Sequence, residues 1–337
     1  IKGNEKTIIS QEKLDKSQIH VAKFVEKQGF EARMTCVSDN DSTIVRMNII
    51  THGKTGFIVR MSYFEQGLQG SIGESVNVLL LFVVIFYLKN IDEAGNYTLR
   101  DYPCLEGVDY IIRSFILPSI YKYTSDEESR YIKHQLNLTI ARARGKASSY
   151  GTLGELFEYF RTLKRVPFKV GPGRKAVAPV VDPLRDIQTY LFGHIPPTAD
   201  RSDLDERWEL LAMMTCMLSR VNAGFRHQDD RDSWANKRIE TAGVEMERTF
   251  NKAWSGIVAT WPEAGTSTSS IIFPDKPITE EFIGLFNKSG FGNVARARRA
   301  GDMLKRETPL AINSQIQRLT TRAPVKSAHT SIRQIHP

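Results

Sequence analysis

Cysteine is scarce. The three present (Cys36, Cys104 and Cys216) lie far apart, with no CxxC pair and no Cys/His spacing of the kind a zinc site needs. A disulfide framework is excluded with them, and a reducing compartment inside the cell is the natural expectation. Long apolar runs are equally scarce. The only one is 76–88 (VNVLLLFVVIFYL). As a helix it would reach roughly 20 Å, short of a bilayer's ~30 Å hydrocarbon core, so a buried helix is expected and no membrane partner. No signal peptide is visible, and no initiating methionine; a chain that starts mid-pattern at Ile1 is expected to be one piece of a longer or split subunit. A phosphate-binding loop is also missing. Gly53-Lys54-Thr55 lacks the upstream glycine of GxxxxGK[ST] and lies between two strand patterns, where such a loop joins strand to helix.

What is present is an ordinary globular composition, 41% hydrophobic and 25% charged, long enough at 337 residues for two or three cores. The net charge of +8 is unevenly placed. Residues 293–337 hold nine Lys/Arg against two acids, Asp302 and Glu307. Such a block is an electrostatic footprint for a polyanion.

Alternation in the runs IVRMNII and FIVRMS, flanking a glycine-containing turn at 51–56, predicts a β-hairpin over 42–62. Residues 1–12 read as a strand, a Gly-Asn turn and a second strand. Residues 110–138 read as helix broken at Pro118, with Asp126, Glu127 and Glu128 in a first turn that favours acids. Over 139–165, arginines alternate with aromatics, which fits an amphipathic helix with a basic outer face or a nucleic-acid surface. Residues 166–183 read as an exposed Pro/Gly loop. From Asp203, an expected N-cap, Leu204, Trp208, Leu211, Leu218 and Val221 recur at helical spacing. A second helix is expected to carry Met246, Phe250, Ala253, Trp254, Ile257 and Val258 on one face. Beyond it, 260–270 reads as a polar loop, 280–286 as a short helix and 290–301 as an arginine-bearing exposed segment.

Between the helices ending near 221 and beginning near 243 lies the most chemically loaded stretch, residues 227–243. Asp229, Asp230 and Asp232 surround one arginine; Lys237 and Arg238 follow, then Gly243. Three chemistries suit it: a solvated loop of mutually neutralised charges, a hard-cation site built on carboxylates, or a phosphate contact in which the aspartates brace the basic pair.

The run Asp-Asp-Arg-Asp-x-x-x-Asn-Lys-Arg-x-x-x-Ala-Gly resembles the motif of the second-largest (beta-type) subunit of multisubunit DNA-directed RNA polymerases. Two more stretches resemble that family in the same order. Gly3, Glu5, Lys6, Gln11 and Glu12 fill its Gly-x-Glu-Lys-x-x-x-x-Gln-Glu pattern, and 313–337, with Ser314-Gln315-Ile316, Pro324, Arg333 and Pro337, resembles its fork region. Leu191–Pro196, around His194, is a weaker match to the family's Leu-Pro-His segment. Ser233-Trp234-Ala235 departs from the His-[Phe/Leu]-Gly usual after the aspartates, which points to a divergent, viral or plasmid-borne lineage.

The resemblance implies an α+β protein: a mixed lobe-like domain over 1–225, a helix-rich protrusion/fork connection over 226–312, and the start of the fork loop over 313–337. It implies nucleic-acid contacts from Lys237, Arg238, Gln315, Arg318, Arg322 and Arg333, with Asp229, Asp230 and Asp232 as structural braces. No catalytic residue and no metal ligand is expected in this chain. The catalytic Mg²⁺ is expected on the partner, the largest (beta-prime-type) subunit, and the further partners are other polymerase subunits, DNA template and nascent RNA. Nucleus, cytoplasm and viral factory are equally compatible locations. Two rivals from other classes stay open: a metal-dependent nuclease or phosphotransferase using Asp229, Asp230 and Asp232, and a non-catalytic nucleic-acid-binding adaptor.

Overall fold

A computed structural model describes residues 5–15, 18–23, 29–37, 43–52, 56–65, 68–72, 76–90, 100–161, 165–167, 191–198, 200–230, 232–244, 246–247, 250–251, 254 and 301–321. The chain is of mixed α+β class and divides into two compact units, one of residues 1–15 with 231–337, the other of residues 16–230. The division at 230/231 lies near the 225/226 boundary expected from sequence. Residues 1–15, however, group with residues 231–337 and not with 16–230, and 226–312 and 313–337 are not separated from each other after Asp230. The reason is strand pairing across the chain.

In the discontinuous unit, β1 (Lys6–Ile8) runs antiparallel to 301–303. β2 (Ser10–Leu14) is the centre of a three-stranded sheet, antiparallel to 237–240 on one side and parallel to 319–321 on the other. The first strand and Gly-Asn turn expected over residues 1–4 lie outside the described residues; from Lys6 on the chain is extended as expected, and both its strands pair with segments distant in sequence. A strand's extended geometry is local, but its partner is chosen by register and burial along the whole chain.

The continuous unit opens with an antiparallel sheet. β3 (His20–Lys23), β4 (Phe30–Val37), β5 (Thr43–His52), β6 (Gly56–Glu65) and β7 (Leu68–Ile72) pair in sequence order. β8 (Val76–Asn77) joins β6, and β9 (Arg165–Pro167) closes the edge beside β7. β5 and β6 form the expected hairpin, with His52 opposite Gly56. Gly56 sits at φ +75°, and a Cβ there would fall 2.4 Å from Thr139 Oγ1. That hydroxyl accepts the Phe57 N–H at 3.0 Å. The glycine's role is thus to let a helix approach the hairpin.

α1 (Val78–Lys89) is the expected buried helix, ten of its residues being buried. Asn77 accepts the Leu79 N–H at 2.9 Å and its amide donates to Thr139 O at 3.0 Å, which fixes the helix start. Among the described residues no helix is long and apolar enough to cross a membrane. α2 (Cys104–Ile111) runs through a π turn at Ile112–Ile116 into α3 (Leu117–Tyr121), with Pro118 in the first turn of α3. The helix is therefore not broken at Pro118; the wider turn upstream shifts the hydrogen-bond register around the missing N–H. The break comes after Tyr121. Ser125 and Glu128 then form a capping box that starts α4 (Asp126–Ala147), whose first turn carries the expected acids. Ile132, Leu136, Thr139, Ala143 and Ala147 make its buried face.

α5 (Leu153–Arg161) and α6 (Asp203–Asn222) complete this unit. Ser202, not Asp203, is the N-cap of α6. The Asp203 carboxylate is drawn inward, accepting from Thr198 Oγ1 (3.0 Å) and from Nε of the wholly buried Arg207 (3.1 Å). Arg207 also donates to the carbonyls of Leu191, Phe192 (3.0 Å) and Ile195 (2.5 Å). Burial holds its pKa below the usual arginine value, with Asp203 opposing that effect. The arginine thus pins the turn that contains His194 onto α6. Trp208, beside it, donates to Ser119 Oγ (2.9 Å) and meets the Phe82 ring edge-on at 4.7 Å. Leu204, Leu211, Leu218 and Val221 are buried, as their spacing predicts.

The remaining elements, β10 (Lys237–Glu240), β11 (Gly301–Met303), α7 (Pro309–Ile316) and β12 (Leu319–Thr321), all belong to the discontinuous unit. In the expected helix after Gly243, positions 242–244, 246–247, 250–251 and 254 are helical. Met246, Phe250 and Trp254 follow one another at four-residue spacing, and all three are exposed. The Phe250 and Trp254 rings are stacked at 6.1 Å. The readings of 168–183, 260–270, 280–286 and 290–300 lie outside the described residues.

Candidate nucleic-acid interface

The 227–243 stretch spans the boundary between the two units, so residues 227–230 belong to one and 231–243 to the other. On the side of the continuous unit, α6 ends at Gly224 in the left-handed region (φ +85°), and the Phe225 and Arg226 N–H groups both return to Arg220 O. The chain then lies against β3. Asp229 N donates to Val21 O and Val21 N donates to Asp229 Oδ2, each at 2.7 Å. The other oxygen, Oδ1, accepts from Arg226 Nη2 at 2.7 Å. Asp229 thus ties Arg226 to the edge of β3, whereas the resemblance implies a brace for Lys237 and Arg238.

On the other side, Ser233 Oγ accepts the Ala235 N–H at 3.4 Å and starts a single 3-10 turn over Trp234–Asn236. Asn236 O then accepts from Asp15 N at 2.9 Å, and β10 begins. Its register sets Lys237 opposite Leu14, Arg238 opposite Lys13, Ile239 opposite Glu12 and Glu240 opposite Gln11. Opposed residues share a face, and diagonal neighbours remain within reach of long side chains. On one face the Lys237 ammonium lies 3.2 Å from Glu12 Oε1, both side chains being almost wholly buried. It also lies 5.3 Å from the centre of the Trp234 ring. On the other face Lys13 pairs with Glu240, and Arg238 Nη2 reaches Asp15 Oδ2 at 2.9 Å.

The basic pair therefore divides. Lys237 is turned into the sheet, whereas the Arg238 side chain is 64% exposed and has a nearly buried carboxylate behind it. The carboxylates holding the pair, Glu12 and Asp15, come from β2 and its end. Sequence reasoning places Glu12 in a strand pattern and overlooks Asp15; the charged run Glu12-Lys13-Leu14-Asp15-Lys16 is the available signal. Asp230 and Asp232 are exposed. Among the described residues no three His, Cys, Asp or Glu side chains are grouped as a metal site requires.

The third strand brings in residues 305–321. Thr308 Oγ1 accepts the Ala311 N–H at 3.1 Å and opens α7, with Pro309 in its first turn. Gln315, on α7, accepts from Lys305 N at 2.9 Å, so its side-chain carbonyl ties the segment after β11 to the helix. Arg318 is exposed immediately before β12, and Thr320 then stands beside Gln11 on β2. Arg238, on one neighbour of this central strand, and Arg318, just before the other, thus lie on opposite sides of β2, with strand neighbours about 5 Å apart. Arg322 and Arg333 lie outside the described residues. Two basic groups facing solvent from one sheet, one of them backed by a carboxylate that orients it, suit phosphate binding without base reading. The chain matches no protein-family model and no curated protein.

Proposed function

We propose that the chain is part of the second-largest (beta-type) subunit of a multisubunit DNA-directed RNA polymerase, contacting template or the RNA–DNA hybrid near the active centre. One observation carries this reading. The three stretches on which the resemblance rests contribute one strand each to a single sheet: β2 from the Gly-x-Glu-Lys segment, β10 from the Asp-Asp-Arg-Asp segment and β12 from the fork-like segment. Motifs with unrelated histories have no reason to share a hydrogen-bonded register.

In this reading Arg238 and Arg318 hold phosphates by electrostatics that ignore sequence, as an enzyme that must traverse every template requires. Lys237 acts one step back. Paired with Glu12, it fixes β10 against β2 and so fixes the direction in which Arg238 points. Gln315 keeps α7, and with it Arg318, in place. Chemistry belongs to the partner: the largest subunit supplies the metal ions that stabilise the transferring phosphoryl group.

The test is affinity purification of the tagged protein from its native source, with identification of co-purifying chains by mass spectrometry. A much larger partner bearing an Asn-Ala-Asp-Phe-Asp-Gly-Asp-type sequence is the expected result. Recovery of the chain alone under mild salt would refute the assignment.

A further inference from the structure

We propose that the outward face of α4, with Phe225 beside it, binds single-stranded nucleic acid. This surface lies wholly within the continuous unit and does not depend on the polymerase assignment.

From Ser129 to Ala147 the helix carries Arg130, Lys133, Arg142, Arg144 and Lys146 and no acid at all; its acids are confined to the first turn. Three of these cations, Arg142, Arg144 and Lys146, are engaged within the fold. Arg144 pairs with Asp109, and Lys146 lies 4.1 Å from the Tyr159 ring centre. Arg130 and Lys133 are exposed and form no ion pair among the described residues. With His134 and Asn137, also exposed, they occupy one side of the helix, at spacings of three, four and seven residues. Of the first-turn acids, Glu128 is committed to Arg220, and Asp126 and Glu127 stand four and three residues before Arg130, at the end of the strip.

Beside this basic strip stands an aromatic pair. The Tyr131 and Phe225 rings meet edge to face at 5.3 Å, yet they are 55% and 38% exposed, respectively. Leu138, 40% exposed, follows Tyr131 two turns along the helix. Neither ring is needed to fill the core, whose α4 contribution comes from the opposite face. A surface that combines cations at helical spacing with exposed rings offers phosphate contacts and stacking together. That is the requirement of an unpaired strand, whose base faces are free; a duplex hides them.

The experiment measures binding of the full chain to a fluorescein-labelled oligo(dT) strand and to a duplex of equal length, by fluorescence anisotropy over a salt series. Replacing Arg130 and Lys133 together by Ala is expected to weaken strand binding. It should also lower the slope of log affinity against log salt by roughly 1.4, about 0.7 for each phosphate that is no longer neutralised. Tyr131→Ala is expected to weaken strand binding about tenfold without changing the slope, and Tyr131→Phe to restore it. The Arg238→Ala/Arg318→Ala protein serves as comparator, because it tests the other unit's surface independently. Unchanged strand affinity in both α4 variants would overturn the proposal. So would a Tyr131→Ala protein that binds the strand as tightly as the parent.

Discussion

Lys237 Nζ lies 3.2 Å from Glu12 Oε1 and joins side chains 225 positions apart in the sequence. The pair sits diagonally across β2 and β10, so it reports directly on whether the N-terminal strand and the Asp-Asp-Arg-Asp segment share a sheet. Replacing Lys237 by Met and Glu12 by Leu, singly and together, is expected to give a coupling energy of about 1–3 kcal/mol, within the range for contacting residues. Each single variant should be the more damaging per residue, because it leaves a buried charge without its partner. Urea unfolding of the four proteins provides the measurement, and a coupling near zero would deny the contact.

Arg238 and Arg318 are expected to behave alike and unlike Lys237. Each change to Ala should lower nucleic-acid affinity uniformly across sequences and reduce the salt slope by about 0.7–0.9. Lys237→Ala should act through stability. Equal loss of affinity on poly(dT) and mixed-sequence strands distinguishes phosphate contact from base reading.

The buried Arg207 holds Asp203 and three carbonyls from the 191–195 turn. Arg207→Ala removes one charge of a fully buried pair and strands the other, at a cost of about 3–5 kcal/mol. That is a large share of the ~5–15 kcal/mol that holds a domain folded. Thermal unfolding would show the loss as a strongly lowered Tm, with Arg207→Lys only partly restoring it, since an ammonium lacks the planar fork that reaches several carbonyls.

All three cysteines are buried, and burial pushes their thiols up, Cys36 to about 12 and Cys104 and Cys216 to about 11. The native protein should therefore react slowly with Ellman's reagent at pH 8 and the urea-unfolded protein promptly, at three sites. The same shifts carry a pH dependence. Unfolded thiols ionise near pH 9 while the folded ones keep their protons, so their contribution to stability is constant below about 9 and falls as pH rises toward 11–12, by up to about 1.4 kcal/mol per pH unit for each thiol. Urea midpoints measured from pH 8 to 10.5 would show it; a midpoint that rises over that range would contradict it.

Much of the fold was legible where the signal is local. The uninterrupted apolar run at 76–88, too short to cross a bilayer, pointed to a buried helix, and the alternating runs around 51–56 to a hairpin. The leucine spacing from Leu204 to Val221 gave the core face of α6. What stayed hidden depends on distant partners. Nothing near Ser10–Leu14 announces that its two neighbours lie at 237–240 and 319–321. Arg207 is one arginine among many, and its burial is dictated by carbonyls in another segment. At the candidate site the composition drew attention to Lys237 and Arg238 but not to the acids that pair with them. Asp229 is adjacent in sequence, whereas Glu12 and Asp15 become adjacent only through sheet register.

The central claim is tested most directly by assaying whatever co-purifies with the tagged chain for templated RNA synthesis. The account predicts incorporation of labelled ribonucleotides by the assembled complex that depends on a DNA template and on Mg²⁺, and none by the chain purified alone. A complex unable to synthesise RNA on any template, or an isolated chain that cleaves nucleic acid with Mg²⁺ and loses that activity on Asp230→Ala, would contradict it.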